Sequence, residues 1–293
     1  MSTISAASLP QISARRRRTD KVMRGLLLAA TIIALIPLIL IIYYLIHKGL
    51  SAWTQSGFFT TDPTGSFFGS PGGIRSAILG SLEIVLLATV ISIPIGIGVA
   101  LYLTEFGKEG WFANTVRYFV DVMTGVPSIM FGLFIYIVLV IGRFGGTGFA
   151  AWKGSVAIAL LMLPIIIRSS EVVLLLVPSN LREAALALGA PRWRVVFRIV
   201  LPTAAPGLLT GSLLAIARGM GETAPLLFTV STAFGLTFSL SQQMNTMPFL
   251  IYNDITSPRA ALQTIAWGAA LTLVTIVLIL NLGARFIASR SRS

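Results

Sequence analysis

VPSNLREAALALGAPRWRVVFRIVLP, residues 177–202, is the stretch on which the fold turns. It is a charged, amphipathic interruption between two apolar runs, 155–177 and 203–231, and its residue order predicts two short helices. Asn180 is placed to cap the first, with Glu183 three residues on completing a capping box. Gly189 supplies the C-terminal turn, and Pro191 opens the second helix. Leu181, Ala184, Ala185 and Leu188 recur at i, i+3, i+4, i+7, which draws an apolar ridge beside a basic second helix. Such a ridge suits either a helix lying on lipid headgroups or a knob that enters a partner's groove.

The flanking runs set the solvent. LLLAATIIALIPLILIIYYLI, residues 26–46, is unbroken apolar sequence, and about 20 such residues cross the hydrocarbon layer as a helix. Similar runs at 77–103, 119–142, 155–177, 203–231 and 262–283 predict an all-α integral membrane protein of six transmembrane helices. Composition agrees, with 11% charged and 55% hydrophobic residues among 293. A soluble domain carries roughly a quarter charged residues, so the composition excludes a water-soluble globule. With no cysteine and only His47, disulfides, thiolate metal sites and a cysteine nucleophile are excluded, and neither a metal nor a cofactor is expected. The first run exceeds a typical signal-peptide core and reads as a retained anchor.

Sorting Lys and Arg by segment places 15 on the side of both tails and the 178–202 loop, and five on the other. Positive side chains stay cytoplasmic, so both termini are expected there, in a plasma membrane. Arg15–Arg18 then reads as a topology signal beside lipid, with no call for nucleic acid. Residues 1–24 are expected to form a poorly ordered basic tail and 25–293 one membrane domain.

The two remaining cations, Arg168 and Arg218, fall inside spans. Glu171 follows Arg168 by three residues and Glu222 follows Arg218 by four, so each pair shares a helix face. An intramembrane Arg costs about 2.5–3.5 kcal/mol on the insertion scale, so it is expected to face protein or water. One reading is two self-neutralising salt bridges. The other is two guanidinium groups at similar depth along an anion path, since a planar fork matches tetrahedral oxyanions at any relevant pH. Glu83 and Asp121 are read as structural. Pro37, Pro94, Pro127, Pro164 and Pro225 are expected to bend their spans, and Gly207, Gly211, Ser212, Ala215 and Gly219 to mark a tight helix contact.

Glu183-Ala184-Ala185, Gly189 and the Ile199-x-Leu201-Pro202 ending resemble, in residue type and spacing, the EAA loop of bacterial ABC-importer permeases. GGIRSAILGSL at 72–82, TGVPSIMFGLF at 124–134, LPIIIRSSE at 163–171 and ARGMGETAPLLFT at 217–229 are similar to the phosphate-specific, PstA-type branch. The resemblance implies a type I importer permease fold. It also implies a heterodimer with a PstC-type subunit, a PstB-type ATPase dimer below and a PstS-type phosphate-binding protein outside. It implies that Glu183, Ala184, Ala185, Leu188 and Gly189 couple to the ATPase, and that Arg168, Glu171, Arg218 and Glu222 line the phosphate path. No GxxxxGK[ST] loop occurs, so ATP and Mg are expected on the partner ATPase and the chain itself is expected to be non-catalytic. Other readings stay open at this point: a sulfate or molybdate permease, a secondary transporter using Glu171 or Glu222 as proton carrier, or a membrane phosphatase.

Overall fold

The computed structural model describes residues 13–65, 69–107, 109–142, 146–233 and 235–290. Helices account for the architecture: α1 (Ala14–Trp53), α2 (Arg75–Leu101), α3 (Trp111–Gly125), α4 (Ser128–Ile135), α5 (Ala151–Leu175), α6 (Ser179–Ala187), α7 (Arg192–Val195), α8 (Leu201–Met220), α9 (Ala224–Thr229), α10 (Met247–Ile255) and α11 (Ala260–Arg290). Single π-helical stretches extend α2 (Tyr102–Gly107), extend α4 (Tyr136–Val140) and join α7 to α8 (Val196–Val200).

The chain divides into two compact units, residues 1–47 and 48–293. In the first, helix begins at Ala14, so the second half of the expected basic tail is helical, in keeping with the good helix propensity of Arg and Lys. The first twelve residues of that tail lie outside the described residues. Pro37 sits within the helix without ending it.

In the second unit α5 is the central helix, packed between α2 and α8. Ile84 and Ala88 of α2, Ile158, Met162 and Ile166 of α5, and Ala215 of α8 form its buried core. In lipid, burying apolar side chains gains little, because acyl chains are equally apolar; close packing and hydrogen bonds hold such helices together. The α8 face carries that packing: Gly207 lies against Val173, Gly211 against Ser169, and Gly219 against Ile158 and Met162, as the small-residue spacing predicts. At one end of the bundle α10, α11, Phe58 and Ile74 share a second core with Met247, Leu250 and Ile265 at its centre. There Asp62 accepts from Arg75 Nε (3.1 Å) and Nη2 (2.6 Å) and from the Ser76 amide (3.1 Å), which anchors the start of α2. The Arg75 guanidinium holds the Asp62 carboxyl below the usual carboxylate range.

Among the described residues, five helices are long and apolar enough to cross a membrane, and a sixth span results if α3 and α4, bent by 104°, count as one. The bend lies at Val126-Pro127. Proline drives its predecessor out of the α region, and Val126 is extended, at φ −74° and ψ 128°. Pro94, Pro164 and Pro206 stay inside α2, α5 and α8, so proline alone does not break a span here. The predicted 203–231 span is also interrupted: α8 ends at Met220, and α9 follows after Gly221–Thr223. The two broken segments meet, with Gly132 of α4 against Pro225 of α9.

Candidate functional site

At the EAA end of the bundle the loop adopts the expected pair of helices, with one difference at its start. Helix α6 begins at Ser179 behind Pro178, whose φ of −59° suits a helix entry, so Asn180 and Glu183 lie within the helix and the capping box does not form. The other end matches the expectation. Gly189 has φ +78°, its amide donates to Leu186 O (2.9 Å), and the Ala190 amide donates to Ala185 O (3.1 Å), a Schellman closure. The expected apolar ridge is split. Ala185 turns inward onto Ala100, Leu174, Val195 and Val200, whereas Ala184 and Leu181 are exposed and Leu188 is 89% exposed. Glu183 also faces outward, and Leu186, Trp193 and Phe197 enlarge the exposed apolar surface.

Arg182 fastens this loop to the bundle. It donates from Nε (3.0 Å) and Nη2 (2.9 Å) to Glu105 Oε1, and to the carbonyls of Val177 (2.6 Å) and Leu174 (2.8 Å). Leu174 lies in the last turn of α5 and Val177 just beyond it, so Arg182 adds a cation where helical amide donors run out.

Deeper in the bundle, Arg168 does not stand alone with Glu171. Its Nη1 donates to Glu171 Oε2 (2.7 Å), and its Nη2 binds Asp121 and approaches Arg117 O (3.4 Å). The second oxygen of Glu171 accepts from Arg117 Nε (2.7 Å). Arg117 and Asp121 lie one turn apart on α3, and Arg168 and Glu171 one turn apart on α5. Together they make a four-rung ladder of alternating charge whose formal sum is zero. Glu171 is only 8% exposed, and two guanidinium groups offset the cost of its burial. Asp121, read from sequence as structural, is thus a direct partner of Arg168, with its side chain 62% exposed. Arg117 also escapes notice in the sequence, because it sits at the edge of a span and its partner is 54 residues away.

Arg218 differs. Its Nε lies 3.4 Å from Glu222 Oε1, its side chain is 60% exposed, and Glu222 occupies the break after α8. The α5–α8 register puts Gly211 beside Ser169 and Gly219 beside Ile158, so Arg218 lies roughly 10 Å farther from the EAA end than Arg168. The two cations are therefore at different depths, not at similar depth. Eleven residues make about three turns, so Arg218 shares an α8 face with Gly207. That face borders a groove of about 530 Å³ lined by Arg168, Ser169, Val173, Pro206, Gly207 and Gly211, running from Arg168 toward the EAA end. Glu83 joins neither cluster: it lies near the opposite end of α2, and its buried Oε2 has no hydrogen-bond partner among the described residues.

No group of three or more His, Asp or Glu able to hold a metal occurs among the described residues.

Residues 92–293 match the family model of binding-protein-dependent transport system inner membrane components. The chain is 40% identical over 278 residues to the phosphate transport system permease protein PstA of Yersinia pestis, covering 94% of this chain and 92% of that one. It is 40% identical over 294 residues to PstA of Mycobacterium leprae (98% and 95% covered) and 39% identical over 272 residues to PstA of Haemophilus influenzae (92% and 94%). Among solved structures, a bacterial alginate ABC transporter chain matches with a TM-score of 0.64 at 16% identity, covering 93% of this chain and 96% of that one. The inward-facing methionine transporter MetNI gives 0.59 at 19% identity, covering 74% and 97%. These likenesses establish the type I importer permease fold. Membership of this family displaces the secondary-transporter and phosphatase readings, because its members are the non-catalytic membrane components of ABC systems. A loop that presents an apolar face beyond the bundle, cations held inside the spans, and relatives matched over nearly their whole length converge: the chain belongs to the inner membrane components of binding-protein-dependent transport systems, in the PstA group of phosphate transport permeases.

Proposed function

We propose that the chain forms half of the membrane pathway of an ATP-driven phosphate importer, paired with a PstC-type subunit in a bacterial plasma membrane. The EAA end and both termini face the cytoplasm, where Leu181, Leu186, Leu188, Trp193 and Phe197 dock on a PstB-type ATPase dimer that carries ATP and Mg. A PstS-type binding protein delivers phosphate to the opposite face. Ala184, Ala185 and Gly189 shape and seat the docking helix, with Ala185 acting from the inside.

Arg218 carries this reading. An exposed guanidinium with one loose contact keeps most of its donors for an arriving oxyanion, and Glu222 beside it limits how tightly the anion is held. Phosphate then descends roughly 10 Å to Arg168, where the α5–α8 groove opens toward the EAA end. There it competes with the exposed carboxylate of Asp121, while Glu171 keeps the guanidinium in place. The PstC-type partner closes the open side of the groove.

The test is phosphate uptake into vesicles holding the complete transporter with ATP supplied to the ATPase side. Uptake should require the ATPases and phosphate-binding protein and should be lost in Arg218→Gln with the complex still assembled. Uptake that persists without the ATPases, or at the wild-type rate in Arg218→Gln, overturns the proposal.

A further inference from the structure

The ladder around Arg168 does not end at Arg117. Besides gripping Glu171, Arg117 donates from Nη2 to Leu103 O (3.0 Å) and from Nη1 to Asn114 Oδ1 (3.2 Å). Leu103 belongs to the π-helical stretch that ends the second span, and so does Glu105, the carboxylate held by Arg182 of the EAA helix. The contacts are therefore continuous: Arg182 to Glu105, along two residues of backbone to Leu103 O, through Arg117 to Glu171, and on to Arg168 and Asp121.

We propose that Arg117 is the positioning residue through which displacement of the EAA helix reaches Arg168. This rests on the preceding assignment of the EAA helix to the ATPase and of Arg168 to the anion path. A π-helical turn holds one residue more than an α-turn, so it marks a place where a helix end can change its winding with small movements. A cleft of about 590 Å³, lined by Leu103, Glu105, Arg117, Arg182, Glu183 and Val196, separates the EAA helix from that turn and α3 and leaves it room to move. The Arg182–Glu105 link transmits the shift to the π-turn. Arg117 cannot follow Leu103 O and keep Glu171 Oε1 unless α3 moves against α5, because its guanidinium is a rigid planar fork. Asp121 is one turn along the same helix, so that movement changes its contact with Arg168 and hence whether an anion can enter there. Arg182 also holds Leu174 O of α5 directly. Arg117 adds the connection from the π-turn to α3, beside the contacts that Arg168 of α5 makes with Asp121 and Arg117 O.

The experiment compares Arg117→Gln, Arg117→Lys, Glu105→Gln and the Arg117→Gln/Glu105→Gln double variant in the complete transporter in vesicles. The quantity measured is phosphate moved per ATP hydrolysed, with Arg218→Gln run alongside. Arg117→Gln should lower this ratio about tenfold, within the usual range for coupling between sites. Arg117→Lys should recover part of it, and Glu105→Gln should lower it severalfold. The double variant should be no worse than Arg117→Gln, since both cut one chain. A wild-type ratio in Arg117→Gln, or losses that multiply in the double variant, overturns the proposal. Should Arg117→Gln fail to assemble, Glu105→Gln decides by the same criterion: a wild-type ratio refutes the relay. If Arg218→Gln transports normally, the anion-path reading itself is at fault; if it is inactive while Arg117→Gln keeps its ratio, only the relay fails.

Discussion

Arg168 and Arg218 share a local sequence pattern, an arginine with a glutamate one turn on, yet the bundle treats them in opposite ways. Arg168 lies toward the EAA end, where α3 crosses α5, and its donors are met by Glu171, Asp121 and a backbone carbonyl. Arg218 lies where α8 stops, and no second helix brings it a carboxylate among the described residues. The same motif is therefore a multiply bonded junction in one half and an exposed, loosely paired cation in the other. The difference arises from which helices end nearby, not from the motif itself. Among the described residues, buried side-chain oxygens without a hydrogen-bond partner follow the same division: Ser76 Oγ, Glu83 Oε2, Asn245 Oδ1 and Thr246 Oγ1 lie toward Arg218's end, and Ser170 Oγ is the exception.

The sharpest way to break this contrast is Arg218→Gln, expected to lower phosphate uptake at least 100-fold in vesicles, the scale of losing about 2.7 kcal/mol of charge-assisted contact. Arg168→Gln should cost less, roughly tenfold, because Glu171 keeps Arg117 as its partner. Equal losses at the two positions would show that the ladder opens fully during transport. Asp121→Asn sharpens the comparison from the other side. Freed from its carboxylate, Arg168 should hold phosphate more tightly and release it more slowly, lowering maximal uptake about two- to fivefold while half-saturation falls. Unchanged kinetics would detach Asp121 from the path.

At the EAA end the comparison is between the inward and outward sides of one short helix. Leu188→Asp should abolish co-purification of the ATPases with little effect on the stability of the chain, because that side chain is 89% exposed. Ala185→Trp should lower stability by about 1–3 kcal/mol through overpacking against Leu174 and Val200, read as a lower unfolding temperature in detergent. The smallest effect is expected at Asp254, in a cavity of about 390 Å³ near the opposite end, where burial pushes its pKa up to about 6. A raised carboxyl pKa makes ionisation destabilising. The penalty is complete above pH 6 and vanishes below the unfolded value near 3.8. Asp254→Asn should therefore raise the unfolding temperature by about a degree or two at pH 7 and leave it unchanged at pH 4.

The spans were legible because a 20-residue apolar run has one stable state in lipid, and the α5–α8 contact was legible because glycines recur along one face. The breaks were not. Pro127 ends α3 whereas Pro94 and Pro164 are absorbed, a difference decided by neighbouring helices, which no local pattern records. The capping box at Asn180 failed because Pro178 already offers a preset φ, and the helix starts two residues earlier than the box requires. Of the site, Arg168 and Arg218 were visible as charges in apolar sequence. Arg117 and Asp121 were hidden because their partners are brought in by tertiary packing, 54 and 47 residues along the chain.

The zero formal sum of the Arg117–Glu171–Arg168–Asp121 ladder bears on life in an energised cell. A membrane negative inside by 100 mV opposes the entry of a dianion by about 4.6 kcal/mol, at 2.3 kcal/mol per charge. Two bare cations at that depth would form a trap from which such an ion escapes slowly, and between cycles they would invite chloride to leak. On the proposed pathway, a station whose own carboxylate fills the seat would keep the barrier insulating at rest and bare positive charge only when cargo arrives to replace it.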